Sequence, residues 1–115
     1  MILTEKIRSE ILEIIFKYLD KDECSVFLFG SYAQETAGES SDIDIGIFCT
    51  KIIELSMLNQ IKDELNEKVE TLRDIDIIDF NSGLDPEFIK IATRKMEIWH
   101  KGKKLKDNLN NLLML

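Results

Sequence analysis

Asp42 and Asp44 are the residues of this chain best placed by type and spacing to do chemistry. They stand one residue apart in an otherwise apolar run (Ile43, Ile45, Gly46, Ile47, Phe48) that reads as a buried strand. Side chains alternate faces along a strand, so both carboxylates project from the same side with Cα atoms about 7 Å apart. At an effective dielectric of about 20 their repulsion is roughly 2 kcal/mol. A divalent cation shared between them turns that cost into binding energy. Ten residues separate Asp42 from Gly30-Ser31, the pair that closes another apolar run, Val26-Phe27-Leu28-Phe29.

A third acid comes from the run Asp74 to Phe80, where parity selects it. Asp74, Asp76, Ile78 and Phe80 share one face, and Ile75, Ile77 and Asp79 the other. Asp76 is flanked by isoleucines and so is embedded in the strand. Asp74, at its mouth beside Arg73, is the reserve candidate, and Asp79 points the opposite way or ends the strand. Three carboxylates converging from two strands suit two magnesium ions about 4 Å apart, which clamp the attacking and leaving oxygens of a phosphoryl displacement. Magnesium favours such hard oxygen ligands and binds substrate phosphates as well. Gly30 lets a phosphate approach the main chain, backbone N–H groups at the start of a following helix point at the anion, and the Ser31 hydroxyl adds one hydrogen bond.

The elements that must position these residues follow from periodicity. Ile7, Ile11, Ile14, Ile15, Tyr18 and Leu19 predict an amphipathic helix over roughly 3–20. Ser25 to Phe29 is a first strand, apolar on both faces and therefore central. Ser31 to Ala37 is read as a short helix, Gly38 to Ser41 as a turn, and Asp42 to Cys49 as the second strand. Thr50 is the expected cap of a helix carrying Leu55, Leu58, Ile61, Leu65 and Val69. Asp74 to Phe80 is the third strand. Asp85-Pro86-Glu87 starts a helix to about Lys95, with Asp as cap and Pro at the first helical position. Met96 to Trp99 adds a short edge strand. The fold class expected is α/β (α+β), a small mixed sheet backed by helices with one catalytic face.

With 115 residues the chain forms one domain. The expected division is a domain over 1–100 and an amphipathic helical tail over 101–115, its stripe formed by Leu105, Leu109, Leu112 and Leu113. That stripe packs back onto the domain or forms a homo- or hetero-oligomeric contact. No run approaches a membrane span, and the N-terminus lacks secretory-signal order, so a cytoplasmic location is expected. The net charge of −7 argues against broad binding to nucleic-acid backbone. Cys24 and Cys49 become neighbours if the first two strands pair antiparallel, and free thiols are expected in a reducing compartment. With His100 they cannot make a structural zinc site, and His100 is read as a surface residue. Trp99 and Tyr32 are read as core or rim residues, each also able to stack on an adenine.

Gly30-Ser31-Tyr32-Ala33, with ten residues between Ser31 and the Asp42 of Ser41-Asp42-Ile43-Asp44-Ile45, resembles the minimal nucleotidyltransferases of the DNA polymerase β superfamily. Ile75-Asp76-Ile77-Ile78-Asp79 is similar to that family's third-acid strand. The resemblance implies a polymerase β palm-like nucleotidyltransferase fold and magnesium-dependent transfer of a nucleoside monophosphate from a nucleoside triphosphate such as ATP to a hydroxyl. Carried over by position, Gly30 and Ser31 hold the triphosphate, Asp42, Asp44 and Asp76 hold two Mg²⁺, and Asp76 helps deprotonate the acceptor. Members this small generally occur beside a helical partner of the HEPN type. In type VII toxin–antitoxin pairs the nucleotidyltransferase is the antitoxin and adds AMP to a tyrosine of the toxin. One departure stands out: the family commonly has Arg-Gly after Gly-Ser-x-Ala, and this chain has Gln34-Glu35. Replacing a cation by an anion beside the phosphates weakens triphosphate binding by about 1–3 kcal/mol, which Lys51, Lys90 or Arg94 would have to offset. Two competing readings are a module that neutralises its partner by contact alone and an enzyme that modifies a small molecule, as aminoglycoside adenylyltransferases do.

Overall fold

The computed structural model describes residues 4–30, 42–81 and 83–105. Within them α1 is Glu5–Tyr18, β1 Cys24–Phe29, β2 Ile43–Cys49, α2 Leu55–Lys68, β3 Ile75–Asp79, α3 Pro86–Ala92 and β4 Glu97–His100, before a 3₁₀ turn at Lys103–Leu105. The strands form one mixed sheet in the order β3-β2-β1-β4. β1 pairs antiparallel with β2 and with β4, whereas β2 and β3 run parallel. A parallel pair needs a crossover, and α2 supplies it. β1 and β2 are therefore the inner strands, as their apolar composition requires.

The sheet has two unlike faces. Ile11 and Ile15 from α1 and Ile61 and Leu65 from α2 pack on Val26, Leu28, Ile43, Ile45, Ile47, Ile75 and Ile77. Each fully buried isoleucine or leucine stabilises by about 1.5–3 kcal/mol, so this layer supplies most of the driving force for folding. Glu64 of α2 ties the two helices together. It accepts from Lys17 Nζ and Tyr18 Oη and pairs with Lys68 at 3.5 Å. Its hydrogen bonds to Lys17 and then Tyr18 hold its carboxyl down at about 2. The opposite face carries a smaller cluster, Phe27, Phe29, Phe80, Ile89 and Ala92, over which α3 lies. That second face is only partly covered, and it bears the acids.

Helix starts follow local chemistry. Thr4 caps α1, its Oγ1 accepting from Ile7 N at 3.2 Å. Asp85 caps α3, its Oδ1 accepting from Glu87 N at 2.8 Å, with Pro86 in the first turn as the sequence predicts. That helix stops at Ala92, short of the expected Lys95, where Thr93 turns its hydroxyl back to Ile89 O at 2.7 Å. Thr50 does not cap α2. Residues 50–54 are a connection held by Thr50 N donating to Glu23 O and Ile53 N donating to Asp79 Oδ2, and Glu54 is the residue at the cap.

The expectation of free thiols is overturned: a disulfide joins Cys24 to Cys49. The register that pairs β1 with β2 sets these two residues directly opposite each other and brings their sulfurs together. His100 is half-buried, its Nε2 2.7 Å from Lys21 O and its ring edge-on to Phe16. The start of the expected tail packs back on the domain. Gly102 N donates to Ser25 Oγ at 2.8 Å, and Leu105 is fully buried. Leu109, Leu112 and Leu113 lie outside the described residues. No helix among the described residues is long and apolar enough to cross a membrane.

Candidate active site

Sheet register brings the acids together. Asp44 is the antiparallel partner of Phe29 and the parallel partner of Asp76, so the second and third acids sit side by side on adjacent strands. Burial alternates along β2 and β3 as parity requires. Ile43, Ile45, Ile75 and Ile77 are buried toward the helices, while Asp44 and Asp76 are half-buried on the other face. Asp42 lies just before β2, exposed, two residues from Asp44 and of the same parity. The Asp44 carboxyl is held above the usual carboxylate range, first by burial and then by the charges of Asp76 and Asp42. The charges of both other acids are thus felt at the Asp44 carboxyl. Asp79, on the helix-facing side, is buried and structural. Its oxygens accept from Ile53 N at 3.0 Å and Asn81 N at 2.9 Å. Asp74 is exposed at the mouth of β3, where its carbonyl accepts from Ile43 N at 2.9 Å.

Gly30 ends β1 directly against this carboxylate. Its φ is +75°, a region that L residues avoid, and a Cβ built there would stand 2.4 Å from Asp44 Oδ2. Only glycine allows the chain to turn at this point with the Asp44 carboxylate lying over it. Ser31 and the expected helix to Ala37 fall outside the described residues, as do Tyr32, Gln34 and Glu35.

Lys62 of α2 is the cation that the structure brings to the acids, and the sequence does not flag it. Its Nζ lies 3.0 Å from Asp76 Oδ1, reaching around the edge strand β3, with both side chains nearly half exposed. Such a pair is worth about 0–1 kcal/mol. It therefore balances part of the acidic charge and can be displaced by a stronger cation. Lys51, Lys90 and Arg94 are all exposed, and Lys51 follows Cys49 at the end of β2 away from Asp44. Trp99 is buried in the helix-side cluster under the Arg8 guanidinium, 5.8 Å from the ring centroid, and so cannot receive an adenine.

Among the described residues no group of three His, Cys, Asp or Glu side chains is closed to metal-ligand distance. The donor set nevertheless suits a hard divalent cation in kind. It offers carboxylate oxygens alone, one of them already destabilised as an anion by burial and by its two neighbours, beside a glycine that leaves room at the main chain.

Gly46, two residues past Asp44 on the same face, lets Phe27 from β1 and Phe80 from the end of β3 meet across β2, with ring centroids 4.8 Å apart. These rings form the floor beside Asp44. The only signal in the sequence is a glycine among β-branched residues, which marks a close approach.

A family model described as polymerase beta, nucleotidyltransferase, matches residues 10–105. Comparison with curated proteins finds no match. Among solved structures, a toxin–antitoxin crystal structure with AMP-PNP superposes with a TM-score of 0.74 at 18% identity, covering 93% of this chain and 81% of that one. A tri-AMPylated Shewanella oneidensis HEPN toxin in complex with MNT antitoxin gives 0.69 at 16% identity, covering 94% and 78%. A toxin–antitoxin MntA-HepT structure gives 0.70 at 14% identity, covering 96% and 81%. At these identities the structural likeness concerns the fold.

Proposed function

This chain belongs to the polymerase β nucleotidyltransferase family, and from that premise we propose that it moves AMP from ATP to a tyrosine hydroxyl of a HEPN-domain toxin, acting as the antitoxin of the pair. The observation that carries the reading is the seat of Gly30 beneath the Asp44 carboxylate with Asp76 in register beside it. This arrangement supports a phosphate-approach point beside the acids at one end of the sheet. The structural neighbours of matching size include a toxin–antitoxin structure with AMP-PNP and an AMPylated HEPN toxin in complex with MNT antitoxin, which supports ATP and a protein acceptor.

In this mechanism Asp42, Asp44 and Asp76 would hold magnesium, and Gly30 with Ser31 would receive the triphosphate. Two magnesium ions, when bound, neutralise charge on the attacking and leaving oxygens. The acceptor oxygen forms a bond to the α-phosphorus, the bond to the β-phosphate oxygen breaks, and pyrophosphate leaves. Asp76 takes the hydroxyl proton. Its position on the edge strand β3 leaves it half open for an acceptor to approach.

A second reading, neutralisation of the partner by contact without turnover, draws on the Lys62–Asp76 pair and on Gln34-Glu35 standing where the family commonly has Arg-Gly. The two readings separate on one incubation. A HEPN-domain protein encoded by an adjacent reading frame is mixed with this protein, ATP and Mg²⁺ and examined by intact-mass spectrometry. Transfer predicts additions of whole AMP units that disappear with chelator. A neutralised but unmodified partner would rule out transfer in favour of contact.

A further inference from the structure

Among the described residues, Phe88 is the most exposed ring packed against the acid-face aromatic cluster. Phe27, Phe29 and Phe80 are at most 5% exposed, whereas Phe88 is 38% exposed. Its centroid lies 6.3 Å from that of Phe29, nearly perpendicular, and 6.0 Å from that of Phe80. Phe29 in turn immediately precedes Gly30 and is the register partner of Asp44. The outward ring is therefore one side chain removed from the point where phosphate is received.

We infer that Phe88 is the shelf on which the base of the bound nucleoside triphosphate rests, a reading that depends on the nucleotide site proposed above. The ring is held from behind by buried rings, and its helix is fixed by the Asp85 cap and Pro86. Little ordering is then needed when a flat base arrives, which favours binding. A phenyl face carries no hydrogen-bonding group, so it ranks bases by stacking area. Purine triphosphates are held more tightly than pyrimidine ones, with little choice between ATP and GTP.

Equilibrium binding of ATP, CTP and inorganic tripolyphosphate to the full chain in Mg²⁺ tests this, because tripolyphosphate has no base. Phe88→Ala should weaken ATP about 10-fold and leave tripolyphosphate unchanged, since stacking on an aromatic ring is a substantial share of base affinity. Phe88→Trp should restore ATP binding. Ile91→Ala, which trims an exposed apolar side chain (55%) one turn further along α3, should change neither ligand. Equal ATP affinity in Phe88→Ala and wild type would overturn the assignment. So would equal losses of ATP and tripolyphosphate, which mark a distorted site, or a loss in Ile91→Ala matching that of Phe88→Ala. Wild-type protein that binds neither ATP nor tripolyphosphate would instead remove the nucleotide site itself.

Discussion

Asp44→Asn is expected to lower AMP transfer by at least about 100-fold and, at the same time, to raise the melting temperature of the cation-free protein at neutral pH. The two effects have one cause. Burial, with Asp76 and Asp42 alongside, holds the Asp44 carboxyl above its ordinary value of 3.8. A carboxyl whose pKa is higher in the folded state favours folding fully below the unfolded value. That contribution is lost as pH rises through the folded value. At neutral pH the wild type therefore folds with an anion that it would rather keep neutral, and asparagine removes the charge while keeping the shape. Melting temperature measured across pH should show the advantage of the variant growing from about pH 4 upward and levelling off once Asp44 is ionised. Added Mg²⁺ should stabilise the wild type and not the variant. A variant less stable than wild type at neutral pH in chelator would mean that the carboxylate makes a favourable contact.

The second large effect is on stability. A Cβ at Gly46 would stand 2.3 Å from Phe27 Cε2 and 2.8 Å from Phe80 Cε1. Both rings are buried, at 0% and 4% exposure, so neither can swing clear without opening the second core. Gly46→Ala should then cost about 3 kcal/mol, at the upper end of ordinary overpacking. For a domain of this size that corresponds to a fall in melting temperature of roughly 10–20 °C. Calorimetry of the variant checks it. Gly83→Ala is an informative comparison, because its φ is also +75° but a Cβ there meets nothing within 4 Å. It should lose only the backbone cost, about 1–2 kcal/mol.

The period-two pattern made much of this site legible before coordinates. Parity alone separated Asp76 from Asp79, and the structure places the first toward the acid face and the second in a structural role between Ile53 N and Asn81 N. The Asp85-Pro86 helix start was equally readable because its chemistry is local. What the sequence hid was long-range. Lys62 meets Asp76 only because α2 crosses to the edge strand, and nothing in the intervening residues announces that reach. Thr50 has the type of a cap but lies in a connection anchored by residues from other elements. The Cys24–Cys49 bond follows from a register that a linear reading names only as a condition. Trp99 shows the limit of residue type as a guide. It was a reasonable base-stacking candidate, yet its strand turns it toward the helices, and Phe88 faces out on the acid side instead.

The fold allows a weak surface pair to coexist with the proposed metal-binding role. Lys62 and Asp76 are each nearly half exposed, so water screens their attraction. A divalent ion held also by Asp44 and Asp42, as proposed, would compete for Asp76 with more ligands and twice the charge.

The central claim, that Asp42, Asp44 and Asp76 jointly take up divalent ions when nucleotide is present, is tested most directly by electron paramagnetic resonance of Mn²⁺ titrated into the protein with AMP-PNP. The account predicts two bound Mn²⁺ per chain, close enough for spin coupling, and loss of the coupled signal in Asp44→Asn and in Asp76→Asn. An unchanged Mn²⁺ spectrum in both variants would contradict it.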